Sequence, residues 1–213
     1  MLLRNMTEKQ WKSKILDYVI SYYNSDPFRR QMRTFSSTVK NRRVPSRHLI
    51  TIKHTFKDGT VMHTAFYKYY YMKGVHKAAD ISCAHYFEIL DPKTGKVGYL
   101  MPQFDQEIPM CITGFSFFTY HCVCRIRERA GKDFFSVVAV DSNSRLFFQR
   151  TDNGSLEGIL GDNKYHVFGY EGDNGFTYVT TFVTNSMLHE NQEQVSAELK
   201  EMYKEYMEKY YAA

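Results

Sequence analysis

Residues 119–131 read TYHCVCRIRERAG, and on an α-helix they place His121, Arg125 and Arg129 at i, i+4 and i+8 along one face. Glu128 flanks that stripe, and Arg127 points elsewhere. Phosphodiester chemistry needs a group that moves a proton near neutral pH, which an imidazole supplies. It also needs fixed positive charge where negative charge develops, which the planar fork of arginine supplies. Near a helix start, the backbone dipole adds to the attraction for an anion beside His121. The candidate catalytic set is therefore His121 as acid–base group, Arg125 and Arg129 as phosphate clamp, and Glu128 as flanking carboxylate. The same residues also fit an ordinary solvated helix in which Glu128 pairs with Arg125 or Arg129.

Charge along the chain points in the same direction. The 213 residues carry a net charge of +5, but residues 1–57 hold 13 Lys or Arg against 3 acids, whereas the rest hold 15 against 20. Between Pro27 and Ala79, 12 basic residues face one acid, Asp58. Such segregation suits a polyanion. The candidate nucleic-acid-binding residues are Arg29, Arg30, Arg33, Lys40, Arg42, Arg43, Arg47 and Lys53. "AFYKYYYMKGVHK", residues 65–77, interleaves tyrosine with lysine. Aromatics can stack bases while cations hold phosphates, although a half-buried strand explains the same alternation. Arg43 and His48 carry the R-x4-H spacing of a group of helical ribonucleases, but Pro45 would break the helix that spacing needs.

The elements that must position these groups are expected to be helices at both ends and in the middle, with hairpins between. Thr7-Glu8-Lys9-Gln10 resembles a capping box, and Trp11, Ile15, Tyr18, Val19 and Tyr22 follow at helical spacing. A second, short helix is expected from Pro27 to about Phe35. "RHLITIKHTFKDGTVMHTAFYKYYYM" reads as a hairpin turning at Asp58-Gly59. With those two residues as the loop, His54 faces His63 and Ile52 faces Ala65. A second hairpin turns at Pro92-Lys93-Thr94-Gly95. Thr113 or Thr119 is the expected N-cap of the helix that holds His121, and Gly131 its C-cap. "FFSVVAVDSNSRLFFQRT", "KYHVFGY" and "FTYVTTFVT" read as strands, with "TDNGSLEGILGDN" and "EGDNG" as loops. The tail reads as an amphipathic helix with Leu188, Val195, Leu199, Met202, Tyr206 and Tyr210 near one face. The expected class is α+β, an antiparallel sheet built from hairpins. One domain is expected over 1–213, with a division into 1–110 and 111–213 as the alternative.

Other chemistries find little support. No GxxxxGK[ST], GxSxG or HExxH is present. Cys83, Cys111, Cys122 and Cys124 form no CxxC pair and read as reduced thiols. His54 and His63, opposed on the hairpin and joined by His48 on the same face, would be close enough to share a metal or a proton. Further ligands with defined spacing are missing, so no metal and no cofactor is expected. There is no apolar run near the length of a membrane span, and no apolar stretch follows the charge in MLLRNMTEKQW. A cytoplasmic protein without a membrane partner is the expectation.

Thr119, His121, Arg125, Glu128, Arg129 and Gly131 form the pattern T-x-H-x3-R-x2-E-R-x-G, which resembles proteins related to the RelE and barnase-like ribonuclease toxins. The resemblance covers residues 113–185. It implies one or two helices followed by an antiparallel sheet, metal-independent cleavage of RNA ahead of DNA, and a toxin or mobile-element setting. It also implies that a late strand residue such as Thr181 faces His121, Arg125 and Arg129. The alternative is a non-enzymatic module of phage or mobile-element origin that binds nucleic acid or inhibits a protein. Either reading allows a protein inhibitor or target as a further partner.

Overall fold

A computed structural model of the chain describes residues 6–40, 49–73, 76–90, 95–105, 108, 110–141, 146–151, 154–160, 165–173 and 175–211. Within these spans it leaves out the side chains of 39–40, 49, 69–73, 76–80, 140–141, 190–191, 195, 203 and 206–211. Arg42, Arg43, Arg47 and His48 lie outside the described residues, as does the side chain of Lys40.

Helix α1, Glu8–Tyr23, starts with a complete capping box: the Thr7 side chain accepts from the Gln10 N–H, and the Gln10 side chain accepts from the Thr7 N–H. Trp11, Ile15, Val19 and Tyr22 form its buried stripe. Helix α2, Asp26–Lys40, runs beyond the expected end near Phe35. The hydroxyls of Ser37 and Thr38 both bond back to the Thr34 carbonyl, at 2.8 and 2.9 Å, so the polar run is accommodated within the helix instead of ending it.

Nine strands follow: β1 Leu49–Thr55, β2 Val61–Lys73, β3 His76–Leu90, β4 Val97–Phe104, β5 Ile112–Phe118, β6 Leu146–Arg150, β7 Ser155–Leu160, β8 Tyr165–Glu171 and β9 Phe176–Thr184. They form one sheet in the order β1-β2-β3-β4-β5-β9-β8-β7-β6. Every pairing is antiparallel except β5 with β9, which run parallel with Phe115 beside Phe176. The molecule thus combines helices with a mostly antiparallel sheet, made of two meanders joined along one parallel seam. Between β5 and β6 come α3, Tyr120–Ala130, and a short π-helix, Ser136–Asp141; α4, Glu190–Tyr211, closes the chain. Among the described residues no helix is long and apolar enough to cross a membrane.

The two faces of the sheet carry different helices. On one face α1 buries its stripe against Met62, Phe87, Leu100, Phe115, Phe117 and Phe176. Beside it α2 inserts Phe35, with Phe28 and Met32, against Phe66, Ile50 and Ile52. On the same face α4 sets Ser196 against His166, 3.2 Å apart. The opposite face takes α3 and the π-helix, with Cys122, Ile126, Phe134, Val137 and Val138 packed against Tyr86, Phe118, Val179 and Phe182. Each fully buried large side chain contributes about 1.5–3 kcal/mol of transfer free energy.

Four further expectations fail. In the first hairpin Thr55 pairs with Val61 and His54 with Met62, one residue out from the expected register. The Phe56 N–H bonds the Thr60 carbonyl, the Gly59 N–H bonds the Phe56 carbonyl, and Gly59 has φ +81°. The loop is therefore a turn with a glycine bulge and not a two-residue loop. "FFSVVAVD" is helical, because the Asp133 carboxylate accepts from the Ser136 N–H at 3.0 Å and starts a helical turn. "SLEGIL" is β7, a strand and not part of a loop. Its Gly158 lies under the Phe148 ring, where a Cβ would meet Phe148 Cδ1 at 2.5 Å. In the tail Leu199 is buried, whereas Met202 is 42% exposed and lies off the buried face.

The first hairpin is held to α1 by Tyr18, whose hydroxyl donates to the Asp58 carboxylate and lies 3.1 Å from the Thr60 hydroxyl. That bond, with one from the Thr60 N–H, lowers the Asp58 carboxyl to about 2. Tyr18→Phe should return the Asp58 pKa toward the ordinary carboxylate range in an NMR titration. It should also cost about 1 kcal/mol in urea unfolding, the usual net value of one hydrogen bond.

Candidate nucleic-acid interface

Helix α3 forms where the sequence places it. Thr119 is its N-cap, accepting from the Cys122 N–H, and Gly131 is its C-cap in the left-handed region at φ +64°. Thr113 sits in β5. Cys122 and Ile126 face the sheet, so the opposite side of the helix is turned to solvent and carries His121 and Glu128, both exposed. Half-buried Arg125 lies between them. Its Nε–H donates to His121 Nε2 at 3.4 Å and its Nη1 donates to Glu128 Oε2 at 2.7 Å. The Lys96 ammonium stands 4.5 Å above the neighbouring Tyr120 ring.

Arg129 does not join this group. Its guanidinium donates to the backbone carbonyl of Phe182, which ties the end of α3 to β9. Thr181 pairs with Phe168 and sits next to Phe182, whose side chain points toward α3. By strand alternation Thr181 lies on the far face of the sheet and cannot face His121. The structure therefore brings together His121, Arg125 and Glu128, and separates Arg129 and Thr181 from them.

The basic candidates divide in the same way. Arg29, Arg30 and Arg33 are all exposed along the outer side of α2. Arg29 donates to the Asn24 carbonyl at 2.8 Å and stands 3.9 Å from Asp26. A hollow of about 440 Å³ opens beside Met32, Arg33, Ser36 and Ser37. Lys53 lies away from these arginines, on the opposite face of the sheet. The inward residues of β1 pack under α2, and Lys53 alternates with them.

The slip of the first hairpin also separates His54 from His63. His54 points toward α1, with its ring 5.0 Å from that of Tyr22. His63 points the other way, its ring stacked on Phe135 at 5.1 Å. They cannot share a metal or a proton. His63 Nε2 instead meets Glu88 Oε1 at 2.6 Å, and the Lys53 ammonium lies 3.3 Å from the same oxygen. Burial alone would raise the Glu88 carboxyl, but the hydrogen bonds and charges of His63 and Lys53 outweigh it and hold it below its ordinary value. Among the described residues no group of three or more His, Cys, Asp or Glu is placed to hold a metal ion.

A second polar cluster is buried between α1 and β3. His85 Nε2 lies 2.8 Å from the Tyr23 hydroxyl and its Nδ1 lies 3.0 Å from the Thr64 hydroxyl. The Cys83 sulfur is 3.4 Å from the same Tyr23 hydroxyl. Burial lowers His85 to about 4 and raises the Tyr23 phenol and the Cys83 thiol, so all three stay neutral near pH 7. Tyr23 stands 62 residues before His85, and no local pattern links them.

Comparison with protein families, curated proteins and solved structures finds no match to the chain. The functional reading therefore rests on the residues themselves.

Two measurements follow from this geometry. His85 has a folded-state pKa of about 4, below the ordinary 6.5, so the unfolded chain takes up the proton first. Its contribution to stability is complete above about pH 6.5 and falls as the pH drops toward 4. At 1.36 kcal/mol per pKa unit, wild type should lose about 2–3 kcal/mol more than His85→Gln between pH 7 and pH 4.5, read from urea midpoints. Arg129→Ala leaves the Phe182 carbonyl without its donor and should cost about 1–3 kcal/mol in the same assay.

Proposed function

We propose that this chain is a nucleic-acid-binding module, with RNA its preferred ligand, and that the outer side of α2 is the contact surface. The observation that carries the reading is the exposed row Arg29, Arg30 and Arg33, opposed by one acid, Asp26. Phe28, Met32 and Phe35 anchor the helix beneath that row. Three guanidiniums on one rigid helix match phosphates spaced along a strand, and each fork can grip a phosphate through two N–H groups. Lys53 is left out of this surface because it points to the other face and is engaged by Glu88.

Cleavage of the bound RNA is the second reading. It is favoured by the exposed imidazole of His121 with the Arg125 guanidinium 3.4 Å away. In that mechanism His121 moves the proton. Arg125 must exchange Glu128 for the phosphate, and Arg129 contributes no clamp while it holds the Phe182 carbonyl. A toxin or mobile-element setting draws only on the resemblance of residues 113–185.

Fluorescence anisotropy with a labelled 20-nucleotide single-stranded RNA tests the binding reading. Affinity should fall steeply between 50 and 200 mM salt. Replacing Arg29, Arg30 and Arg33 together by Gln should weaken binding at least ~10-fold and lower the log–log salt slope by about 2, at roughly 0.7 per phosphate contact on a single strand. Binding that ignores the triple variant would remove α2 from the interface. The same RNA incubated in EDTA tests the second reading, since His121→Ala should slow any cleavage at least ~10²-fold. Intact RNA with wild type leaves the chain a binding module.

A further inference from the structure

The polar cluster between the end of α1 and β3 is used by neither reading of function. Cys83 and His85 stand two residues apart on β3, so their side chains project from one face of the sheet, toward Tyr22 and Tyr23 of α1. The Tyr23 hydroxyl is 2.8 Å from His85 Nε2 and 3.4 Å from Cys83 Sγ, and the sulfur and that nitrogen are 4.0 Å apart. Ligand atoms on one tetrahedral zinc ion stand roughly 3.3–3.6 Å from each other, given bonds of about 2.0 Å to N and O and about 2.3 Å to S. The three observed edges straddle that spacing, so small side-chain rotations suffice to seat one ion between them.

Further features point to an ion and not to a closed hydrogen-bonded network. The Tyr22 hydroxyl is buried without a hydrogen-bond partner of proper geometry, beside Thr64 and close enough to Cys83 and Tyr23 for charge on either to act on it. A network complete in itself leaves no such atom. The imidazole is oriented as a ligand. Its Nδ1 lies 3.0 Å from the Thr64 hydroxyl, so with the proton on Nδ1 the Nε2 lone pair is presented to Tyr23 and Cys83. Burial raises both the thiol and the phenol, so neither ionises there alone. A dication bound by both as thiolate and phenolate leaves no net charge to bury. Phe28 packs on both tyrosine rings, at 5.2 and 4.6 Å, and the half-buried Cys83 and Tyr23 keep the cluster within reach of the surface.

We propose that Cys83, His85 and Tyr23 form a zinc site that ties the corner between α1 and α2 to β3. Cys83 supplies a thiolate, Tyr23 a phenolate and His85 a neutral imidazole through Nε2. A water in the fourth position gives the Tyr22 hydroxyl its partner. Binding sends the thiol and phenol protons to solvent. Sulfur and imidazole nitrogen suit zinc and not magnesium or calcium, which take oxygen ligands. The expectation of no metal missed this set because its third ligand is a tyrosine 60 residues before the cysteine. By holding the corner from which α2 starts, the ion fixes where the arginine row stands. The site itself does not depend on what that row binds.

Metal titration of the full chain, stripped with EDTA and dialysed, tests this. Zinc should bind at one ion per chain, release about two protons at pH 7 and raise the melting temperature. Co2+ in its place should give a thiolate-to-cobalt charge-transfer band. Cys83→Ser should abolish that band, whereas Cys111→Ser and Cys124→Ser should keep it. Tyr23→Phe should weaken zinc binding at least ~10-fold, the lower bound for loss of even an outer-shell partner, and release one proton fewer. A wild type that takes up no zinc overturns the proposal, as does a cobalt band that survives Cys83→Ser. Affinity and proton release unchanged by Tyr23→Phe overturn the phenolate ligand. If a variant fails to fold, X-ray absorption on the zinc-loaded wild type decides: one sulfur beside nitrogen and oxygen is expected, and a shell without sulfur overturns the site.

Discussion

The parallel seam between β5 and β9 is the constraint on which the rest of the molecule depends. It joins residues about 60 positions apart, Phe115 to Phe176 and Phe118 to Val179, and so makes one sheet from two meanders. Thr119 secures its end. Its N–H and its hydroxyl both donate to the Val179 carbonyl, at 3.0 and 3.3 Å, while its hydroxyl oxygen caps α3. One residue thus ends a strand, starts a helix and fixes where that helix begins over the sheet. Arg129 performs the matching task at the other end of α3 through the Phe182 carbonyl.

That seam decides what α3 can offer as a site. With Cys122 and Ile126 committed to the core and Arg129 to β9, His121 and Glu128 remain on the solvent side with Arg125 between them, and Arg127 is exposed as well. Arg125 is the hinge of that trio, because it already bonds both of the others. The arginines of α2 stand on the outside of a helix whose Phe28, Met32 and Phe35 pack against the sheet, although Arg29 also holds the Asn24 carbonyl and lies beside Asp26.

Much of the local structure was legible because local signals carried it. The capping box at Thr7 and Gln10, the cap pair Thr119 and Gly131, and the β3–β4 hairpin each depend on residues a few positions apart. Errors arose where a short apolar run had two solutions. "FFSVVAVD" is apolar enough for a buried strand or a buried helix, and Asp133 as a cap was the signal that separates them. Asp58-Gly59 announced a turn, but glycine in the bulge position shifted every partner by one. That single step sent His54 and His63 to opposite faces.

The sequence by itself determined the ends of α1 and α3, most of the strands and the concentration of positive charge in the first third of the chain. Capping, alternation and turn chemistry act over a few residues and are written where they act. Tertiary structure alone decided the parallel pairing of β5 with β9, the loss of Arg129 to a backbone carbonyl and the meeting of Tyr23 with His85. It also decided the union of Lys53, His63 and Glu88 on one face. The physical reason is common to all of these. Each joins residues from different elements, and which of them meet depends on register and packing that no window of the sequence contains.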